Sequence, residues 1–372
     1  MIAVMKTTIR TILFYDRFSC LGKKCPLNCC HGWRIPLDDD SVRRFRREKS
    51  PVGLRARIAI LGTRQPAFGR WHLNCPMLDP DGYCSLQKAR GEKFLPDTCR
   101  IYPRDWANLG IFVERTLDLS CIHAATLYLQ AADDPEGGLA FREETGLWEL
   151  PRAGDNDDPE FLQRLVERRE EMVKILSPER IPDADALDEV IFQLADDGRR
   201  EQDRCLKLST GGMKRIRLFP FSIMLLNEMM STFFYEDGLK WTEPRLYRMC
   251  REYYRAFDPL TEIEGQRKLK ELQERYFAGP DAPGIRDLTR YFTYCLIRRH
   301  YETYEDYSFL RRIEEAAVHL NMVFLFELLA LNAGRKLTVE ERAGIIACYE
   351  KRTWHNEDVL GVLIKQLNGR FV

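Results

Sequence analysis

Four cysteines fall within eleven positions in RFSCLGKKCPLNCCHGW, residues 17–33: Cys20, Cys25, Cys29 and Cys30. Cys75, Cys84, Cys99 and Cys121 follow singly in NCPMLDPDGYC, PDTCRIYPRDW and LDLSCIHAATLYL, so eight of the twelve cysteines lie in the first 121 residues. Thiols gathered this way can cross-link, attack as nucleophiles or ligate a metal. The opening MIAVMKTTIRTILFYDRF is interrupted by Lys6, Arg10 and Asp16 and offers no apolar secretory core. The expected location is therefore the reducing cytoplasm, where clustered cysteines serve as metal ligands or catalysts more often than as a disulfide framework.

An all-thiolate donor set suits zinc or an iron–sulfur cluster. Structural zinc usually brings paired CxxC knuckles, and this chain has none. Residues 1–125 carry 21 Lys and Arg against 12 Asp and Glu, although the whole chain is neutral. A basic surround suits an anionic cluster. The expectation from the residues is an iron–sulfur cluster held by a subset of the eight cysteines, in one centre or two, with zinc as the alternative. The CxxxCxxC spacing of radical enzymes that cleave S-adenosylmethionine is not met: Cys25 and Cys29 give its first interval, but Gly32 holds the third position. His31, His72 and His123 accompany the cysteines and read as hydrogen-bonded neighbours rather than ligands.

Pro26 predicts a short helix capped by Cys25, with Cys29 and Cys30 one turn on and Gly32 ending it. A helix start, helped by Arg17, Lys23, Lys24 and Arg34, favours thiolate over thiol. Adjacent side chains diverge, so Cys29 and Cys30 are expected to differ in role or to serve two centres.

The elements that must position these residues come in two styles. Turn formers in KKCPLN, LDPDGYC and FLPDTC break every apolar run of the first region, which is expected to build little core of its own, with a helix beginning near Cys121. From about Pro159 the apolar spacing is helical, in FLQRLVERREEMVKIL, ADALDEVIFQLADD, MKRIRLFPFSIMLLNEMMSTFF, EGQRKLKELQERYF, YEDYSFLRRIEEAAVHLNMVFLFELLALNAG and TVEERAGIIACYEKR, with Asp or Thr at the cap positions. The fold class is mainly α: a loop-rich cysteine-cluster metal domain over residues 1–155, then an α-helical domain over 156–372, divided in the polar interval between Asp133 and Glu160. Cys205, Cys250, Cys295 and Cys348 read as core residues. Nothing points to a nucleic acid or a membrane: net charge is zero, and the apolar stretch from Leu218 to Tyr235 contains Pro220, Asn227 and Glu228, as a buried helix does.

Taken together, RFSCLGKKCPLNCCHGWRIPLD, NCPMLDPDGYCSLQKARGEKFLPDTCRIYPR and LSCIHAA resemble the flagellin lysine-N-methylase family over roughly residues 14–125. The resemblance implies a cytoplasmic enzyme that methylates surface lysines of flagellin, with S-adenosylmethionine as donor and a 4Fe-4S cluster on the N-terminal cysteines. No glycine-rich strand–turn–helix signature of a Rossmann-type donor site is present; Gly137-Gly138 and Gly211-Gly212 sit in a loop and at a helix start. Arg100 or Arg104 of CRIYPR can pair with the donor's carboxylate or balance the cluster charge. Methylation needs a neutral lysine amine, for which Asp38, Tyr102 and Asp105 are candidate bases, with caps or surface charges as their structural alternative. The same cysteines also admit an iron–sulfur redox or electron-transfer protein, or a zinc-stapled binding module without catalysis.

Overall fold

The computed structural model describes residues 3–32, 34–60, 66–69, 74–109, 112–134, 138–150, 158–209, 213–234, 239–279, 283–354 and 356–369; Trp33, His72, Gly137, Gly211 and Gly212 lie outside them. The fold is predominantly helical, as the apolar spacing predicts. It opens, however, on a strand, β1 (Ala3–Ile12). Thr7, Ile9 and Thr11 are buried while Lys6, Thr8 and Arg10 are not, the alternation of a strand with one covered face. Two of those three covered residues are threonines, β-branched but polar, so hydropathy alone conceals the pattern.

The cysteine loops do own a core, contrary to expectation. β2 (Ile35–Pro36) pairs antiparallel with β3 (Ala67–Phe68). Around them α1 (Asp39–Arg47), α2 (Pro51–Ile60), α3 (Ser85–Arg90) and α4 (Asp97–Ile101) belong to the region built on Phe45, Phe68, Met77, Leu86 and Leu95. Phe45 and Phe68 stack with centroids 5.6 Å apart. The apolar residues come from many short elements, so no single stretch shows a period.

The chain then returns to β1. β4 (Arg104–Asn108), β5 (Phe112–Leu117) and, after α5 (Ile122–Gln130), β6 (Phe141–Leu150) complete a sheet of order β4-β5-β1-β6. β1 runs parallel to β5, Thr8 opposite Phe112, and antiparallel to β6, Ile12 opposite Phe141. α5 begins directly after Cys121, as predicted.

The helical body comprises α6 (Pro159–Ile175), α7 (Ala184–Cys205), α8 (Ile223–Phe234), α9 (Leu239–Thr242), α10 (Pro244–Phe257), α11 (Glu262–Ala278), α12 (Gly284–Arg299), α13 (Thr303–Asp306), α14 (Phe309–Asn332), α15 (Val339–Thr353) and α16 (Glu357–Asn368). Asp158, Asp183, Thr261, Thr338 and Asn356 cap α6, α7, α11, α15 and α16 with their side chains. The run MKRIRLFPF is not helical: residues 213–222 are irregular, pinned by Asp188, which accepts from Leu218 N and Phe219 N at 2.6 and 2.8 Å, and α8 starts only at Ile223, after Pro220.

α14 is buried almost all round, as a helix at the centre of a body must be. The large core runs from Ile12, Phe14, Leu117, Ile122 and Tyr128 to Leu360, Leu363 and Leu367, drawing on residues from both sides of position 155. A buried ion pair adds a polar tie: Arg169 of α6 donates twice to Glu114 of β5, its Nη2 at 2.8 Å from Oε2. Among the described residues, no helix is long and apolar enough to cross a membrane.

Candidate metal centre

Each cysteine is placed by a local device. A 3-10 turn over Gly22–Lys24 precedes Cys25, whose N–H closes on Gly22 O at 3.1 Å. Cys25 is thus the turn's C-cap, not the start of a helix at Pro26: a residue before proline is driven to extended geometry, and Cys25 has φ −70° and ψ 122°. Cys29 and Cys30 sit in an Asn28 turn, with Cys30 N donating to Asn28 Oδ1 at 2.8 Å and His31 N to Asn28 O at 3.3 Å. Cys75 is laid beside them by its N–H donating to Cys30 O at 2.7 Å. The DPDG turn folds LDPDGYC back, and Arg55 clamps it through Pro76 O, Leu78 O and Asp79 at 2.6, 2.9 and 2.6 Å. Cys84 and Cys121 stand at the N-caps of α3 and α5, and Cys99 lies within α4.

These devices bring the thiols together in the seam between the two cores. Cys25 and Cys121 pack against the large core; Cys30, Cys84 and Cys99 pack against the small one, of which Cys75 is a buried member. Cys29 is the hub, near enough to Cys25, Cys30, Cys84, Cys99 and Cys121 to affect the proton affinity of each. Cys20 remains exposed, its sulfur accepting from Gly22 N at 3.4 Å.

The electrostatics oppose the expected thiolate bias. A hydrogen bond with Cys30 and then burial push the Cys29 thiol well up. Burial, then neighbouring thiols, raise Cys25, Cys84 and Cys99, and lift Cys121 to about 12 against the pull of the Ala124 and His123 amides. For Cys30 the bond with Cys29 acts downward, yet Cys75 and burial raise it overall. The cation that favours the Cys25 and Cys29 anions is Lys351 of α15, a residue that no local motif marks. Its Nζ donates to His31 O at 2.8 Å and pairs with Glu243 at 3.0 Å.

His31 is a neighbour, as expected, set between Asn74 Oδ1 at 2.8 Å and Trp241 O at 3.1 Å. His123 lies beside Phe18, with ring centroids 5.7 Å apart. Asp38 caps α1: it accepts from Ser41 N at 2.7 Å, Ser41 Oγ at 2.6 Å and Asp97 N at 3.0 Å. Against the opposing effect of burial, these bonds hold its carboxyl down at about 2. Tyr102 does join the constellation. Its hydroxyl meets Ser120 Oγ at 3.0 Å, and burial, followed by Cys121, Asp118 and Cys29, pushes the phenol well up. Asp105 is exposed on β4, accepting from Trp106 N at 2.9 Å. Arg100 turns to Asp97 at 2.7 Å, and Arg104 lies over the Phe18 ring at 5.1 Å.

The sequence also gave no prominence to Asp118 or Arg298. Asp118 shapes the turn before Cys121 by accepting from Ser120 N at 2.8 Å, and Arg298 of α12 backs it. Their partners arrive from distant helices, so no local spacing marks them.

A helical body bearing an all-thiol constellation in a seam between two cores defines a cysteine-cluster protein. Over 147 residues, 37% of this chain and 35% of the relative, it is 33% identical to the lysine-N-methylase of Salmonella typhimurium strain LT2. The match to the lysine-N-methylase of Salmonella choleraesuis strain SC-B67 has the same extent at 32% identity. Over 135 residues, 34% of this chain, it is 32% identical to the flagellar biosynthetic protein FliU of Salmonella muenchen, of which the match covers 79%. The chain belongs to this family of lysine-N-methylases and FliU, in agreement with the resemblance carried by the cysteine motifs. It spans 35% of the length of the two methylases. No protein-family model and no solved structure matches the chain.

Proposed function

We propose that the chain is a protein-lysine N-methyltransferase acting on flagellin in the cytoplasm, with S-adenosylmethionine as methyl donor and a 4Fe-4S cluster on the N-terminal cysteines. The observation that carries the reading is the family relationship to proteins named lysine-N-methylase. The donor set fits the cluster: Cys29 with Cys25, Cys84, Cys99 and Cys121 offers a choice of four thiolates from separate loops. When bound, the cluster would supply an iron–sulfur centre in the seam between the two cores.

The chain's own residues must deliver a neutral lysine amine, since an ordinary lysine titrates near ~10.4. Tyr102 keeps its proton in its buried site beside Ser120, so it is not the base. Asp38 is committed to its cap; Asp105, exposed on β4, is the other candidate carboxylate for the proton of an incoming ammonium. The test is incubation of anaerobically purified, metal-loaded protein with flagellin and S-adenosylmethionine. Flagellin should gain mass in steps of one methyl group, and no gain from a fully loaded preparation overturns the reading.

A further inference from the structure

We infer that the cleft between the cysteine loops and the start of α15 holds the amino-acid portion of the methyl donor; the inference rests on the methyltransferase reading above. The cleft is open to solvent, spans about 460 Å³ and is lined by Pro26 and Ile122 together with residues that include Arg245, Arg335, Lys336 and Glu340. Pro26 directly follows Cys25 and Ile122 directly follows Cys121, so the apolar wall is continuous with the constellation. The volume falls within the roughly 300–1,000 Å³ of small-molecule sites. Two other cavities among the described residues, of about 660 and 470 Å³, are lined by no residue of the cysteine loops.

The polar wall is preorganised. Arg335 donates to both oxygens of Glu252, at 2.6 and 2.7 Å, and its Nε lies 3.0 Å from Glu341. Arg245 reaches the same Glu341 at 3.1 Å, and its guanidinium lies over Gly344, where a Cβ has no room. On this frame the exposed Lys336 and Glu340 set a cation and an anion on one rim. Such a rim complements a zwitterionic α-amino-acid head: Lys336, with Arg335 behind it, for the carboxylate, and Glu340, with Glu341 behind it, for the ammonium. A phosphate would face the two glutamates, and an uncharged ring would leave both signs unanswered. S-adenosylmethionine and S-adenosylhomocysteine carry the required head, and Pro26 and Ile122 give the rest of the ligand apolar contact.

The test is calorimetric titration of the metal-loaded protein with S-adenosylhomocysteine and with adenosine, which lacks the amino acid. Lys336→Glu and Glu340→Lys lie on the exposed rim and should leave metal content and melting temperature unchanged. Each should weaken S-adenosylhomocysteine roughly tenfold or more, with adenosine unaffected. Gly344→Ala, which displaces Arg245, should act the same way. Wild-type binding that survives all three substitutions overturns the assignment while leaving the methyltransferase reading intact. Absence of binding by the loaded wild type removes the donor reading and the assignment with it.

Discussion

The guanidinium of Arg298 lies 3.8 Å from the carboxylate of Asp118, and the same group donates to both oxygens of Glu350 at 3.0 and 2.8 Å. It also lies 3.5 Å from the centroid of the Trp354 ring. One buried cation of α12 thus answers carboxylates from the turn before Cys121 and from α15. Arg298→Met strips both of their partner, for an expected loss of about 3–5 kcal/mol in urea denaturation. Arg298→Lys should recover little of it, because a point ammonium cannot present paired donors. A loss under about 1 kcal/mol, the worth of an exposed pair, would contradict this account.

Serine scanning separates hub from rim. Wild-type protein purified without oxygen should carry about four irons and four sulfides. Cys29→Ser, at the hub beside Cys25, Cys30, Cys84, Cys99 and Cys121, should abolish this content, whereas Cys20→Ser, exposed at the edge, should retain it. Zinc without sulfide in the wild type would sink the cluster assignment.

Stability should fall as pH rises through a window set by Glu314. Burial raises this carboxyl from 4.5 to about 8, against the hydrogen bond from Asn368. Between those values the folded chain holds a proton that the unfolded chain has released, so the slope is negative, at most about 1.4 kcal/mol per pH unit, and ends above the folded value. Glu314→Gln should remove this component of the slope. A buried neutral His300, depressed to about 3 by burial and then by Arg169, acts oppositely below 6.5, so the wild-type optimum should be read beside both His300→Gln and Glu314→Gln.

Gly32 fastens the cysteine loop to the helical body. Its φ is +88°, and a Cβ would come within 2.8 Å of Glu243 Oε1 and 2.9 Å of Thr242 O. Gly32→Ala is expected to cost about 1–3 kcal/mol. Hydrogen exchange should quicken in residues 28–32 while α14 stays protected; unchanged exchange there would mean the fastening is not at Gly32.

What the sequence discloses follows the range of the forces involved. Helix spacing and caps such as Thr261 and Thr338 act over a few residues, and they were readable. The eight thiols announced themselves by type and density, and the helix after Cys121 by its local pattern. β1 was hidden because Thr7 and Thr11 fill a covered face without apolar character. The proline before α8 misled where its neighbours matched helical spacing, since Asp188 and Asn321 from other helices hold that segment irregular. Asp118, Arg298 and Lys351 could not be read at all, because each takes its meaning from a partner far along the chain. The charge surrounding Cys29 is for the same reason set by α15 rather than by the neighbouring Lys23 and Lys24.

The bond from Lys351 to His31 spans 320 positions. During synthesis at roughly 5–20 residues per second, the cysteine loop leaves the ribosome on the order of half a minute before its cation exists. For that interval the thiols have neither α15 above them nor the larger core behind them. A cluster on the proposed site would therefore have a natural opening for its insertion before chain completion, and the arrival of the last helices closes the seam over the loop.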